Sequence, residues 1–537
     1  MNSPTPPPSI REPEELVYAA AVLILSQDLY PRKLEIVREY IQNASDAIDA
    51  FAAVSEIIKD HSEPVIKVSV QGRSLLIFDN GIGMDGDEVS KLRRIAYSEK
   101  RAGHEAGYKG IGRLAGIAVA EKLKISSTSY GDPQLHHFEF RAQDMRQEVS
   151  ENKRRSVQEP ASVVINRHTN LWSTAVDRKD HYTIVEVRGI SESCPELLDG
   201  KALKEYIGDI GPVDFSPEFT WGVRLSQRLR QDVPDYSPKT IYLSMPSGDR
   251  VKVFKPYTDA MMVAEPEYIE VLDPGNPNNT LALCWFATKG QQVLDRIRPA
   301  GKIFSVEGDD SRDKKRFAGL VYKLFGFSIG DRSLPVRTLW GQSFPRALWF
   351  TGEIHIIDKD VVPTTDRSDF VETDSRKTLY KAAERIPAKL NKLAQEISNN
   401  RKAYEDGDRF KQKLETWRER LRGGKIEKAE LKSIRGELHE SLSRLRQRAA
   451  KCTDLDVQQF DKEVQKYAAN LQKELDEAKS PNSDTSIADV ATDLHMTGKA
   501  QKVFQIVMDT LADHFAEDPD AYYEIAAKIS KALRKKY

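Results

Sequence analysis

The stretch "VREYIQNASDAIDAF", Val37 to Phe51, sets Glu39, Asn43 and Asp46 at spacings of four and three. On a helix of 3.6 residues per turn, Val37, Ile41, Ala44, Ile48 and Phe51 share one face, which reads as core-facing. The two carboxylates and the amide gather on the opposite side, within about 60° of one another. Taken alone, that stripe reads as a solvated polar face as readily as a binding face. Two later stretches bear on the choice. "FDNGIGMD", Phe78–Asp85, ends an apolar strand in Asp79 and follows it with Gly81 and Gly83. Glycines let a backbone approach a ligand closely, and a buried carboxylate at a strand end requires a donor. The amino group of an adenine would supply one; an Asx turn is the plainer alternative. "GYKGIGRLAG", Gly107–Gly116, sets Gly107, Gly110 and Gly112 ahead of the apolar run "LAGIAVA". That run reads as a helix start whose free N–H groups suit phosphates, and a simple flexible loop is the alternative. The spacing of these three glycines is not that of a dinucleotide-binding fold, and no P-loop occurs anywhere in the chain.

The chain has 537 residues, more than one hydrophobic core organises, and reads as three or four domains. Hydrophobic residues at 39% and charged residues at 30% point to a polar surface. Basic residues number 81 against 82 acidic ones, so the chain as a whole carries no basic signal for nucleic acid. Cys194, Cys284 and Cys452 lie far apart without zinc spacing, which predicts a reduced, cytoplasmic protein. The start, "MNSPTPPPSIREPEE", is unlike a signal peptide, and "AAAVLILS" (Ala19–Ser26) is too short to span a membrane, so no membrane partner is expected.

Composition divides the chain. Residues 1–15 read as a flexible arm and 16–195 as an α/β domain, an α+β sandwich. Residues 196–375 read as a mixed α/β middle domain with strands in "KTIYLSM", "TLALCWFA" and "GEIHIID". Residues 376–480 are charged and helical, a coiled-coil-like region broken at Pro387 and Gly423-Gly424 into two or three long helices. "SPNSDTS" (Ser480–Ser486) reads as a linker, and 487–537 as a small helical module.

In this order and at these distances the three quoted stretches resemble the GHKL (Bergerat-fold) ATPases: gyrase, the ninety-kilodalton heat-shock chaperones, sensor histidine kinases and MutL. "REYIQNASDA" resembles that superfamily's N-box, "DNGIGM" its adenine box and "GYKGIG" its glycine-rich lid. "HYTIVEV" (His181–Val187) offers Thr183 where a threonine backs the adenine-binding aspartate, and "YSEK" offers Ser98 and Lys100 where the chain leads into the lid. The resemblance implies ATP and Mg²⁺ as cofactors. It makes Glu39 the general base, Asn43 the Mg²⁺ ligand, and Asp46 a pocket residue one turn further on. It makes Asp79 the acceptor for adenine, with Gly81, Gly83 and Met84 against the base. Gly107, Lys109, Gly110, Ile111 and Gly112 would close over the phosphates.

About 35 residues precede Glu39, too few for the phosphoacceptor hairpin of a histidine kinase. "GEIHIIDKDVVPTTDRSDF" (Gly352–Phe370) resembles the transducer segment shared by the heat-shock chaperones and the MORC ATPases, which implies that Arg367 reaches the γ-phosphate. Lys302, in "RPAGKIFSVEGD", is the second choice. The resemblance then implies a homodimeric, ATP-gated clamp that is chaperone-like and acts on a protein client. A MORC- or MutL-like DNA clamp, as in genome defence, is the alternative, and an ATP-binding scaffold with little turnover the third.

Overall fold

In a computed structural model, the described residues are 32–58, 62–94, 112–155, 159–245, 248–259, 265–288, 317–340, 344–422, 428–477 and 498–515, with scattered positions from 522 to 532. Two compact units divide at Leu390–Asn391. The architecture is an α/β sheet-and-helix domain, then a mixed α/β region, then long C-terminal helices.

Helix α1 (Glu35–Ala52) contains the opening stretch. Its apolar side chains, Val37, Tyr40, Ile41, Ala44, Ile48 and Phe51 among them, are buried. The valine, isoleucine and phenylalanine side chains each contribute about 1.5–3 kcal/mol to holding the helix on the sheet. Strands β1 (Ile66–Gln71) and β2 (Ser74–Asp79) alternate buried and less buried residues and pair antiparallel from Ile66↔Asp79 to Gln71↔Ser74. Their two-residue turn has Gly72 at φ +56°, the position a tight hairpin reserves for glycine. Strands β3 (Lys122–Thr128), β4 (Gln134–Phe140), β5 (Thr169–Ala175) and β6 (Tyr182–Arg188) extend the sheet. Helix α2 (Gly200–Ile210) follows. Strands β7 (Ile241–Ser244) and β8 (Arg250–Lys252) then return to this first sheet, β7 pairing parallel with β1. Among the described residues the order is β5-β4-β3-β6-β2-β1-β7-β8. One face, with Ile66, Val68, Leu75, Ile77, Leu123, Ile125 and Phe138, forms the core with α1.

The apolar run after the lid does not open an α-helix. Residues Gly112–Ala118 form a 3-10 turn instead. Gly112 and Gly116 weaken α-helix propensity. Gly116 also lies so close to Tyr40 that its N–H donates to the Tyr40 hydroxyl at 2.7 Å.

A second sheet comprises β9 (Glu267–Asp273), β10 (Asn276–Thr288), β11 (Gly319–Leu324), β12 (Phe327–Ile329) and β13 (Phe350–Ile356), in the order β12-β11-β13-β10-β9. It encloses a buried carboxylate. Glu353 accepts from Lys255 Nζ at 2.7 and 2.9 Å, from Trp285 Nε1 at 3.2 Å and from the His355 ring at 3.0 Å. Lys323 Nζ, 3.8 Å from Glu353, donates at 2.9 Å to the Asp209 carbonyl in the last turn of α2, and Ser328 donates there too. The neighbouring cations hold Glu353 well below the usual carboxylate range despite its burial.

Past the second sheet, α3 (Arg385–Arg422), α4 (Lys428–Ala449) and α5 (Leu455–Glu477) share a core of Leu414, Trp417, Leu438, Val464 and Leu471. Ion pairs Arg420–Glu430 and Lys413–Glu437 run α3 and α4 antiparallel. Pro387 sits in the first turn of α3, where its missing N–H costs nothing. Asp461 of α5 is buried, with no hydrogen bond to either carboxylate oxygen among the described residues. Helix α6 (Lys499–His514) packs Phe504 and Met508 inward but leaves Val503 at 60% and Ile506 at 64% exposure.

Candidate active site

Three elements converge on the polar side of α1. Glu39 lies against Gly112, where an added Cβ would overlap its carboxylate. On its other side is Arg367, whose Nε stands 3.7 Å from Glu39 Oε1. Arg367 is 7% exposed and comes from a tight loop after β13. That loop is tied by its own side chains. Thr364 Oγ1 donates to Asp366, Asp366 accepts from the Ser368 N–H, and the Asp369 carboxylate takes bonds from Tyr380 and Arg376. The Arg367 carbonyl accepts from Gly330 N at 2.7 Å, anchoring the loop tip beside β12. Arg367 itself has φ +54°, a left-handed backbone rarely adopted by side chains of this size.

One turn along α1, the Asn43 amide is engaged by no protein group among the described residues. Asp46 follows on the same side, within the field of Lys239. Lys239 itself donates to Asp49 at 2.6 Å. The flank next to this stripe is polar yet sealed. Among the described residues, Gln42 is fully buried with neither amide atom bonded, and Arg38 Nε and the Tyr206 hydroxyl of α2 are likewise buried without partners. Burial pushes the Tyr206 hydroxyl up to about 12.

The adenine-box loop is held from several directions. Asp79 is buried at the end of β2 and accepts from Gly81 N at 3.0 Å, so the Asx turn is real. Asn80 accepts from Val65 N at 2.7 Å and donates to the Glu63 carbonyl. Ile82 N donates to Ala47 O of α1. The His181 ring, stacked 4.2 Å from Phe51, holds the Gly81 carbonyl through Nδ1 at 2.7 Å. Gly83, at φ +70°, lies where a Cβ would overlap the Thr128 carbonyl. Met84 N donates to Ser127 Oγ at 2.9 Å. Ser127 Oγ is 2.8 Å from Thr183 Oγ1, and Thr183 stands opposite Asp79 in the β2–β6 register.

Glu39, Asn43, Asp46, Asp79, Gly81, Gly83, Met84, Gly112, Thr183 and Arg367 are thus among the described residues. Ser98, Lys100, Gly107, Lys109, Gly110, Ile111 and Lys302 lie outside them. Ser127, His181 and Asn80 were not singled out from sequence. Their partners come from strand register and from a loop packed on a helix, and the only signal was a run of small polar residues ending β3.

No helix among the described residues is long and apolar enough to cross a membrane, and no group of three or more His, Cys, Asp or Glu gathers there to hold a metal. Residues 34–183 match the family of histidine kinase-, DNA gyrase B- and HSP90-like ATPases. The chain is 32% identical over 121 residues to the chaperone protein HtpG of Borreliella burgdorferi, a match covering 19% of this chain and 20% of that one. HtpG of Methylibium petroleiphilum is 35% identical over 127 residues, 20% of each chain. HtpG of Chromobacterium violaceum is 28% identical over 135 residues, 22% of this chain and 21% of the other. The chain therefore spans about a fifth of the length of these curated relatives. The motif order, the glycine cradles and these matches together make the first part of the chain a GHKL ATPase domain of the HSP90-like branch.

Proposed function

We propose that the protein hydrolyses ATP and works as an ATP-gated homodimeric clamp that holds or remodels a protein client. The observation that carries the reading is the convergence of Glu39 and Arg367, a carboxylate from the first sheet's helix and a guanidinium from a rigid loop of the middle region. Asp79 accepts the adenine amino group, Thr183 backs it, and Gly81, Gly83 and Met84 line the base. Glu39 orients the attacking water and takes its proton. Asn43 holds Mg²⁺, a role its unengaged amide oxygen fits, since Mg²⁺ is bound by few protein oxygens and by substrate phosphates. When bound, the ion neutralises charge on the phosphate oxygens.

Asp46 lines the pocket beyond Asn43. Ser98 and Lys100 lead into the lid, and Gly107, Lys109, Gly110, Ile111 and Gly112 close it. Arg367 leaves its resting place beside Glu39 for the γ-phosphate, whose oxygens match its planar fork better than a carboxylate 3.7 Å away. Lys302 is the second candidate for that role.

The domain organisation follows as proposed parts: residues 16–195 bind ATP, 196–375 deliver the arginine, 376–480 form a helical arm, and 487–537 hold two copies together. The exposed Val503 and Ile506 on α6 support the last. HtpG is named a chaperone, and a protein client is the corresponding proposal for this chain. The test is turnover of Glu39→Ala and Arg367→Ala with ATP affinity measured separately. Both variants binding ATP but failing to hydrolyse it is the expected result. Normal turnover in both would remove the assignment.

A further inference from the structure

The reverse face of the first sheet, opposite the core, carries a pattern the ATPase reading does not use. Lys252, Tyr242, Lys67 and Phe78 stand in register across β8, β7, β1 and β2. Past Ile184 and Ser126 on β6 and β3, the same row ends in His137 and Trp172 on β4 and β5. With strands about 4.8 Å apart, the row from Tyr242 to Trp172 spans about 29 Å.

Three of its rings lie under cations: Lys67 is 4.8 Å from the Phe78 centroid, Arg250 is 3.8 Å from Tyr242, and Lys124 is 5.7 Å from Trp172. Trp172 is 40% exposed. It is backed by His137, stacked at 4.9 Å, whose two ring nitrogens are fixed by Ser126 and Thr174.

Charge on this face is one-sided. Strand alternation brings six basic side chains to it (Lys67, Lys122, Lys124, Arg188, Arg250 and Lys252) against Glu139 and Glu186, on a chain whose net charge is −1. Glu139 and Glu186 pair with Lys122, Lys124 and Arg188. Among the described residues Lys67, Arg250 and Lys252 have no carboxylate partner, and all three are exposed.

We infer that this face binds single-stranded nucleic acid, with bases stacked on the rings and phosphates on the unpaired cations. Rings spaced along a row, with flexible cations beside them, match the needs of a strand whose bases are unpaired. Lysine and arginine stems are long enough to swing from ring to phosphate, which uncovers the ring for a base. A duplex hides its base faces and cannot use the rings. An acidic peptide or an anionic membrane would use the cations and leave the aromatic row without a purpose.

The test is fluorescence anisotropy of a labelled 15-nucleotide oligo(dT) titrated with the full chain. With three phosphate contacts, affinity should fall roughly 20-fold between 50 and 200 mM salt. Trp172→Ala should weaken binding roughly 5- to 150-fold, the range for losing one stacked base, and Trp172→Phe should recover most of it. Lys67→Glu with Arg250→Glu should abolish binding. ATP affinity, read on the same preparations, should stay unchanged and reports an intact fold. Four results would overturn the inference: no binding at 50 mM salt; variants that bind like the parent chain; a duplex of equal length bound as tightly; or displacement of the oligonucleotide by polyglutamate or phosphatidylserine vesicles at equal charge.

Discussion

Glu39 has two neighbours that constrain it more than its helix does. Gly112 leaves room for its carboxylate and Arg367 faces it, so its orientation is set before any nucleotide arrives. Glu39→Ala should therefore keep ATP affinity and lower hydrolysis by roughly 10²-fold or more, the scale of a lost general base, which a phosphate-release assay at saturating ATP reads directly. Asp79→Asn should abolish ATP binding by calorimetry, because an amide misplaces a donor in a buried pocket. Arg367→Ala should bind ATP normally and turn over more than tenfold slower, with Arg367→Lys recovering only part, because a point charge cannot pair two oxygens in one plane. The same measurement on Lys302→Ala decides between the two basic residues. If only the lysine variant is slow, Arg367 loses its role.

The stripe of Glu39, Asn43 and Asp46 was legible because helical period alone sets it apart from the buried face. The burial of Arg38 and Gln42 was not legible. Both are polar side chains, and Arg38 lies in the field of Tyr206 on α2, which is far along the chain. Nor were Ser127 and His181, since a serine ending one strand and a histidine opening another gain meaning only when register brings both to the adenine loop.

Elements carry a different kind of consequence. β7 and β8 join the first sheet through a parallel pairing with β1, which sequence patterns do not announce because the two strands are widely separated in the chain. A fragment ending at residue 195 would leave β1 as an open edge. Within the helical arm, burial and the nearby Asp406 carboxylate push the Asp461 carboxyl from its ordinary 3.8 up to about 6. Its pKa is higher folded than unfolded, so the stability it contributes is present below pH 4 and is lost as pH rises through 6. The cost above pH 6 is at most about 3 kcal/mol. Asp461→Asn should accordingly raise the melting temperature at pH 8 and change it little near pH 4. Equal shifts at both values would show that the carboxylate is not strained. At the second sheet, Glu353→Ala should destabilise by about 3–5 kcal/mol in denaturant melts, because it strands Lys255 in the interior.

For the whole molecule, the long charged helices were legible from composition, but Pro387 lies inside the first turn of α3 and does not break it, Gly423 and Gly424 lie outside the described residues, and the up-and-down pairing of α3 and α4 required the ion pairs themselves. The proposed homodimer belongs at this scale. Light scattering should report a dimer without nucleotide. Val503→Asp with Ile506→Asp should make it a monomer that still binds ATP, since both side chains point away from the α6 core. A monomeric parent chain in every nucleotide state would remove the clamp.

The left-handed backbone at Arg367 sets local strain against activity. A non-glycine residue held there costs on the order of 1 kcal/mol, so glycine or asparagine would relax the loop while deleting the charge. Arg367→Gly relaxes the backbone but also removes the cation facing Glu39, so its melting temperature should move little while its ATPase falls silent. Under selection for turnover alone, the strained arginine should persist.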